Sequence, residues 1–392
     1  MTALRRYRNF LLTLVAGTVA FAFFFNTWAN PWRVTPSPWT SDGLEDYRAI
    51  ENDWNRTSKA GLIRSGSWDA AIFGSSRVDI ALNPEHPLFE DHRCVNLGLN
   101  AANIVENHAM FRYFVEHQDA RLVVFALDAG DLSTEPRKKS IADLPLSPLA
   151  EGDTLERELR YRVGISTLES SFNNTRRELT DTLPEHTPEG FRREPPFPKN
   201  QRALIGGLYT ATKIRLARDR AKLDGISPEK LALLKDIVDT CRQRNIRLIF
   251  LITPNHALFQ LAFPSLDNPD PYFLRDRQTI VATADGFEVW DFLDAHPINL
   301  EPLPPADQPS AHMTHWTDTF HVTPEIGDLM LDRIAGADGD YGVQLSNPAQ
   351  LESRIEAIKS GLSDYASKHS GDLEFLRESF KRFNGVALSE AP

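Results

Sequence analysis

The apolar positions of this chain fall into three regimes. In the first, every residue from Asn9 to Trp32 is uncharged and most are apolar, behind a start that carries Arg5, Arg6 and Arg8. A run of this length matches the roughly 20 residues a helix needs to cross the hydrocarbon core of a bilayer. Trp28 and Trp32 fall where an interfacial aromatic belt sits, and the arginines belong on the cytoplasmic side. The pattern predicts a single-pass anchor in a cytoplasmic (inner) membrane, with the main domain extracytoplasmic. A cleaved signal peptide is the competing reading, with Ala20-Phe21-Ala22 as its small-residue site. The phenylalanines that continue past that site favour a retained anchor.

The second regime consists of short apolar runs bounded by turn residues. "AAIF" before Gly74, "RCVNL" (93–97), "RLVVFAL" (121–127), "IRLIFLI" (246–252) and "FEVWDF" (287–292) read as buried strands. Helical spacing links them. Leu44, Tyr47, Ile50 and Trp54 mark a lead-in helix, and residues 103–117 and 227–245 mark two more, the last with Ser227 as N-cap and Pro228 at the first helical position. Strands alternating with helices predict an α/β fold with a parallel sheet covered on both faces. Residues 131–205 break this rhythm with a charged, Pro-rich stretch, read as an insertion over the carboxyl edge of the sheet, either a lid or a solvated excursion.

The third regime is the tail. Leu351, Ile355, Ile358, Leu362 and Tyr365 step by four and three, and Leu373, Leu376, Phe380 and Phe383 resume the stripe. Such amphipathic helices are expected to pack on the parent domain in preference to a partner. The resulting division is an anchor at 9–32, a linker and lead-in helix at 33–66, an α/β domain at 67–336 with its insertion at 131–205, and a helical tail at 337–392.

Composition narrows the function classes. With 41% hydrophobic residues the chain can bury a core, which excludes wholesale disorder. A net charge of −11 excludes the basic footprint of a nucleic-acid partner. Cys94 and Cys241 are too few for a disulfide framework and are expected as buried thiols.

Two segments carry candidate chemistry. In "AIFGSSRVDIALNP" (71–84) an apolar run stops at a Gly, two serines and an arginine. A hydroxyl there is either a helix cap or a nucleophile at the carboxyl end of a strand, where open α/β sheets keep their active sites. In "SAHMTHWTDTFHVTPEIGDLM" (310–330), Asp318 and His321 form an Asp-x-x-His pair. Such an Asp reaches the imidazole and fixes its tautomer, leaving the other ring nitrogen free to activate a serine. Ser75 is read as the cap and Ser76 as the nucleophile. A metal reading also exists, because His312, His315, Asp318 and His321 recur every three residues. The serine chemistry itself requires no cofactor and no metal.

These blocks resemble those of the SGNH (GDSL-type) hydrolase superfamily. "FGSSR" resembles the first block, with Ser76 in the nucleophile position, and "TDTFH" resembles the last. The resemblance implies a flavodoxin-like three-layer α/β/α sandwich. It also implies an oxyanion hole built from the nucleophile's own N–H, a Gly N–H and an Asn side chain. "VNLGLNAAN" (95–103) resembles the second block, with Ala101 where the Gly is expected and Gly98 as a second donor. "ALDAGDLS" stands where the third block belongs but lacks its Asn; Asn100, Asn103 and Asn255 are candidate replacements. Arg77, Asn100, His256 and His315 are candidate substrate contacts. The anchor and insertion make the chain similar to membrane-anchored members of the alginate O-acetylation and D-alanyl-lipoteichoic acid biosynthesis protein D type. That likeness implies an acyltransferase or esterase acting on an acylated, O-acetyl-bearing cell-envelope or exported polysaccharide, with a multi-pass membrane acyltransferase as partner. The alternative is a catalytically silent scaffold of the same fold.

Overall fold

The computed structural model describes residues 2–134, 143–152, 154–193, 197–219, 225–262, 273–347 and 349–389. Helix α1 (Thr2–Ala29) is the apolar run, and its surface from Leu4 to Phe24 is largely exposed. No free linker follows it. Asn30, Trp32, Arg33, Val34 and Thr35 are buried, Trp32 stacks on Trp54 at 4.3 Å, and Arg33 pairs with Glu45 at 2.7 Å. The expected linker is thus part of the domain, because this arginine and these aromatics have partners to bury against.

The expected single lead-in helix is broken into 3-10 turns at Asp42–Tyr47 and Asn52–Trp54, followed by α2 (Asn55–Ser65). The guanidiniums of Arg33 and Arg48 take up the carbonyls of Glu45 and Ser41 at 2.9 and 2.7 Å, oxygens that a continuous helix would need for its own ladder.

The sheet then begins. β1 (Ala70–Phe73), α3 (Ser76–Ala81), β2 (Cys94–Asn96), α4 (Ile104–His117) and β3 (Leu122–Leu127) follow one another. The insertion supplies α5 (Thr154–Val163) and α6 (Ile165–Leu179), and its last residues open α7 (Gln201–Asp219), which runs on beyond it. After it come α8 (Pro228–Gln243), β4 (Arg247–Ile252), the short α9 (Ala257–Gln260), α10 (Leu274–Ala284), β5 (Glu288–Asp291) and α11 (Pro324–Ile334). The chain closes with β6 (Val343–Gln344), α12 (Ala349–Lys368) and α13 (Ser370–Ser389).

The strand order is β2-β1-β3-β4-β5-β6. The first five are mutually parallel, but β6 runs antiparallel to β5, pairing Gln344 with Trp290 and Val343 with Asp291. The sheet is therefore mixed, not purely parallel. The two-residue β6 is exposed and too short to carry a periodicity that would announce it, and it follows a turn at Gly342, which has φ 73°.

Side chains alternate across the strands. Phe73, Phe125 and Phe250 join α2, α4, α8 and α10 on one face, while Ile72, Val124 and Ile249 join α3, α9, α11 and α12 on the other. Cys94 and Cys241 are buried free thiols.

The tail is integrated into the domain. Leu351, Ile355, Ile358, Leu362, Tyr365 and Leu376 are buried, and Arg354 ties α12 to Asp291 and Asp294 at 2.9 and 3.1 Å. Phe383, expected to extend the stripe, is exposed.

The insertion divides between two places. Its helices α5 and α6 pack on the end of α1, through hydrogen bonds from Asn26 Nδ2 to Arg162 O and from Ser171 Oγ to Asn26 Oδ1. Among the described residues of the insertion, the segment 184–193 reaches the carboxyl edge of the sheet, where Asn96 N donates to Glu189 O. Residues 135–142, 153 and 194–196 of the insertion lie outside the described residues.

Candidate active site

Strand order reverses between β1 and β3, and the loops leaving these two strands diverge at the carboxyl edge. That crevice is the usual ligand site of an open α/β sheet. Ser75 and Ser76 stand at its mouth. Ser75 is the N-cap of α3, its Oγ accepting from Arg77 N at 3.3 Å, and Ser76 is the first helical residue. A first-turn N–H has no acceptor within its own helix, so Ser76 N stands at the positive end of the helix.

From the opposite side, the loop before α11 delivers the other two residues. His321 Nε2 lies 2.8 Å from Ser76 Oγ, and His321 Nδ1 lies 2.7 Å from Asp318 Oδ2. The other carboxylate oxygen, Asp318 Oδ1, accepts from Phe320 N and His321 N at 2.6 and 2.9 Å. Burial works against ionisation of Asp318. The hydrogen bond and charge of His321, with the two backbone N–H donors, outweigh it and hold the carboxyl below its ordinary value. An ionised Asp318 accepts only, so in the neutral imidazole Nδ1 carries the proton and Nε2 is the acceptor facing Ser76.

The approach of the two loops depends on Gly327 in α11, where an added Cβ would lie 1.7 Å from Ala81 O at the end of α3. Gly327→Ala must therefore push α11, and His321 with it, away from Ser76. It is expected to cost roughly 1–3 kcal/mol of stability by overpacking and to weaken Ser76 reactivity; urea unfolding beside acyl-labelling rate measures both.

The structure places the remaining candidates as follows. Ala101 is exposed with φ 52°, a left-handed conformation that suits the glycine expected there, and its N–H is the second candidate oxyanion donor. Gly98 is not available for that role, because its N–H is spent on Asn96 Oδ1 at 2.9 Å. Asn100 is bonded to Asn52 and Asn55, and Asn103 caps α4. Asn255 is buried with neither side-chain amide atom hydrogen-bonded. Gly130 N, from the block that lacks its Asn, donates to Asp276 Oδ2 at 2.9 Å.

Arg77 is already engaged. It donates to Thr253 Oγ1 and Pro254 O, both at 2.9 Å, lies 3.5 Å from Asp128, and packs over the Phe320 ring. It is a brace between the loops after β1, β3 and β4, holding the residue next to His321, and not a free anion contact.

His256, a candidate substrate contact, is fully buried. Its Nε2 hydrogen-bonds Glu301 O at 2.7 Å and its Nδ1 accepts from Leu258 N, which fixes the neutral tautomer. His315 is half-buried and uses its backbone N–H on Glu301. His312 Nε2 turns to Pro198 O, and among the described residues no group of three or more His, Cys, Asp or Glu is arranged to hold a metal.

Burial pushes His256 down to about 4 from 6.5, against the opposing pull of Glu301 O and Asp318. The native state thus binds fewer protons than the unfolded chain between these values. The stabilisation is complete above pH 6.5 and is lost as pH falls toward 4, about 3 kcal/mol in all. Urea midpoints at pH 7 and pH 5 should show this loss in the wild type. His256→Asn should be less stable at pH 7 but should vary less between the two.

One feature of the site has no motif to announce it. Beneath Ser76, on the same short helix, Asp79 is fully buried and faces an ammonium, a guanidinium and the buried imidazole of His186, which burial pushes toward its neutral form. Lys59 Nζ is at 2.8 Å, His186 Nε2 at 3.1 Å and Arg192 Nε at 3.1 Å. Lys59 also donates to Asn96 O and Gly190 O. Gly190 has φ 86° and an added Cβ would meet Asn96 O at 2.4 Å, so the insertion segment reaches the sheet edge only through a glycine. The apolar run 78–82 does contain an isolated Asp, which is the signal a reader of the sequence could have used.

No protein-family model matches this chain, and no curated protein matches it. The case for function therefore rests on the geometry.

Proposed function

We propose that this protein is an extracytoplasmic serine acyltransferase or esterase of the SGNH type, with a flavodoxin-like α/β/α sandwich held at the membrane by α1. The observation that carries the reading is the hydrogen-bonded line Ser76 Oγ–His321 Nε2 and His321 Nδ1–Asp318 Oδ2, at 2.8 and 2.7 Å, at the switch point of the sheet. In this mechanism Nε2 removes the hydroxyl proton as Ser76 Oγ attacks the ester carbonyl. The N–H groups of Ser76 and Ala101 receive the developing oxyanion. The imidazolium, stabilised by Asp318, returns its proton to the leaving alcohol and leaves an acyl-Ser76 ester. A sugar hydroxyl or water, deprotonated by the same Nε2, then attacks that ester and regenerates the serine.

Acetyl as the acyl group, an envelope or exported polysaccharide as substrate, and a multi-pass membrane acyltransferase as partner follow from the resemblance of the Ser76 and Asp318–His321 blocks. Retention of α1 is supported by the apolar run, which continues past Ala22 through Phe23, Phe24 and Phe25 and is longer than a usual signal core. A silent scaffold is the second reading, favoured by the missing third oxyanion donor at Gly130. Incubation of the full chain with an activated acetyl ester, followed by peptide mass spectrometry, separates the two. One acetyl group on Ser76 supports the enzyme, and none supports the scaffold.

A further inference from the structure

Helix α6 is built inside out. Its buried face is polar: Thr167, Ser170, Ser171 and Asn174. These side chains are satisfied by the domain, through Thr167 to Arg160 O, Ser170 to Glu51, Ser171 to Asn26 and Asn174 to Pro31 O. Its outward face carries Ile165, Phe172 and Leu179 at 84%, 52% and 81% exposure, with the exposed charged residues Glu169 and Arg176 between them. Residues seven apart lie two turns apart on one side of a helix. A helix at a water surface has the reverse arrangement.

The outward stripe is continuous with the exposed surface of α1. The Phe172 ring lies 4.8 Å from Phe25 and 6.5 Å from Phe21, and Phe21 and Phe24 are themselves exposed. On α5, Leu155 and Leu159 add two exposed apolar residues one turn apart.

We propose that α5 and α6 form a collar seated in the lipid bilayer around the exit of α1, with the stripe Ile165–Phe172–Leu179 in the interfacial region. This rests on the reading of α1 as a membrane anchor. The occupant is lipid because the stripe prolongs the surface that the anchor itself presents to the bilayer. With Trp32 to Thr35 buried, the collar and the anchor form one unit, so the domain is fixed against the membrane and does not swing on a tether.

The test uses the full chain in phosphatidylcholine–phosphatidylglycerol vesicles. Single exposed positions are labelled with an environment-sensitive fluorophore through Ile165→Cys, Phe172→Cys and Leu179→Cys. Val15→Cys reports on the anchor, and Asp307→Cys is the aqueous control; the native cysteines are buried. Quenching by doxyl-labelled lipid is compared with quenching by aqueous iodide. The collar predicts that labels at 165, 172 and 179 behave like the label at 15, quenched by lipid and several-fold shielded from iodide, with 307 the opposite. If 15 is in lipid while 165, 172 and 179 meet only iodide, the collar is wrong and the anchor stands. If 15 is also open to iodide, the anchor reading fails and the collar fails with it. Shielding from both quenchers in vesicles that hold only this protein means a second copy covers the stripe, which also overturns lipid as its occupant.

Discussion

Ser76→Ala is expected to abolish acyl labelling of the chain and to lower ester turnover by a factor on the order of 10⁶. His321→Ala should do the same, because a nucleophile and its base act as one unit and losing either loses both. Asp318→Asn should fall less far, by roughly 10⁴. The imidazole remains in that variant, but an amide in place of Oδ2 no longer enforces a proton on Nδ1 or supports the charge that forms on the ring. Ser75→Ala removes only a cap with a long 3.3 Å hydrogen bond, so labelling should persist and stability should drop by about 1 kcal/mol or less. The measurement is the rate of acyl-Ser76 formation, with urea unfolding run on each variant to separate chemistry from folding. Labelling that survives in Ser76→Ala at the wild-type rate would discard the serine mechanism.

Asp79→Asn is expected to be the most damaging polar substitution for stability, at about 3–5 kcal/mol. Burial alone would raise the Asp79 carboxyl, but Lys59, His186 and Arg192 overcome it and hold the group far below the ordinary carboxylate range. Removing its charge leaves a fully buried ammonium facing a histidine and a guanidinium with nothing to neutralise them. Lys59→Met should cost less, because Asp79 keeps His186 and Arg192 as partners. The stabilisation from Asp79 is present above its unfolded pKa, near 3.8, and is lost only as pH falls below it toward the depressed native value. The order of urea midpoints, wild type above Lys59→Met above Asp79→Asn, is the check. An Asp79→Asn protein within 1 kcal/mol of wild type would mean that the insertion segment 184–193 is not locked to α3.

Much of the architecture was readable before any coordinates. Five strands, the caps at Ser75 and Ser227, and the buried face of α12 follow from local rules: continuous apolar runs, a polar oxygen before a helix, and steps of three and four. The pairing of Asp318 with His321 was also local, since three residues of loop bring them together. Their encounter with Ser76 across 245 positions of chain is a matter of topology, decided by α11 packing on α3 through Gly327.

The charge-bearing details were illegible for the opposite reason. Arg77, His256 and Gly98 looked like substrate or oxyanion groups because their types suit those tasks, and it is three-dimensional neighbours that consume them: Thr253 and Pro254, Glu301, and Asn96. No spacing rule joins Lys59, Asp79, His186 and Arg192, which come from three distant segments and meet only when the core closes. The sequence alone determined the five parallel strands, the helices α4 and α8 and the apolar stripe of the tail, because backbone periodicity and capping act over a few residues. The tertiary structure alone decided which polar groups are spent inside the fold and which remain for chemistry, because burial and long-range pairing set the energy of a charge.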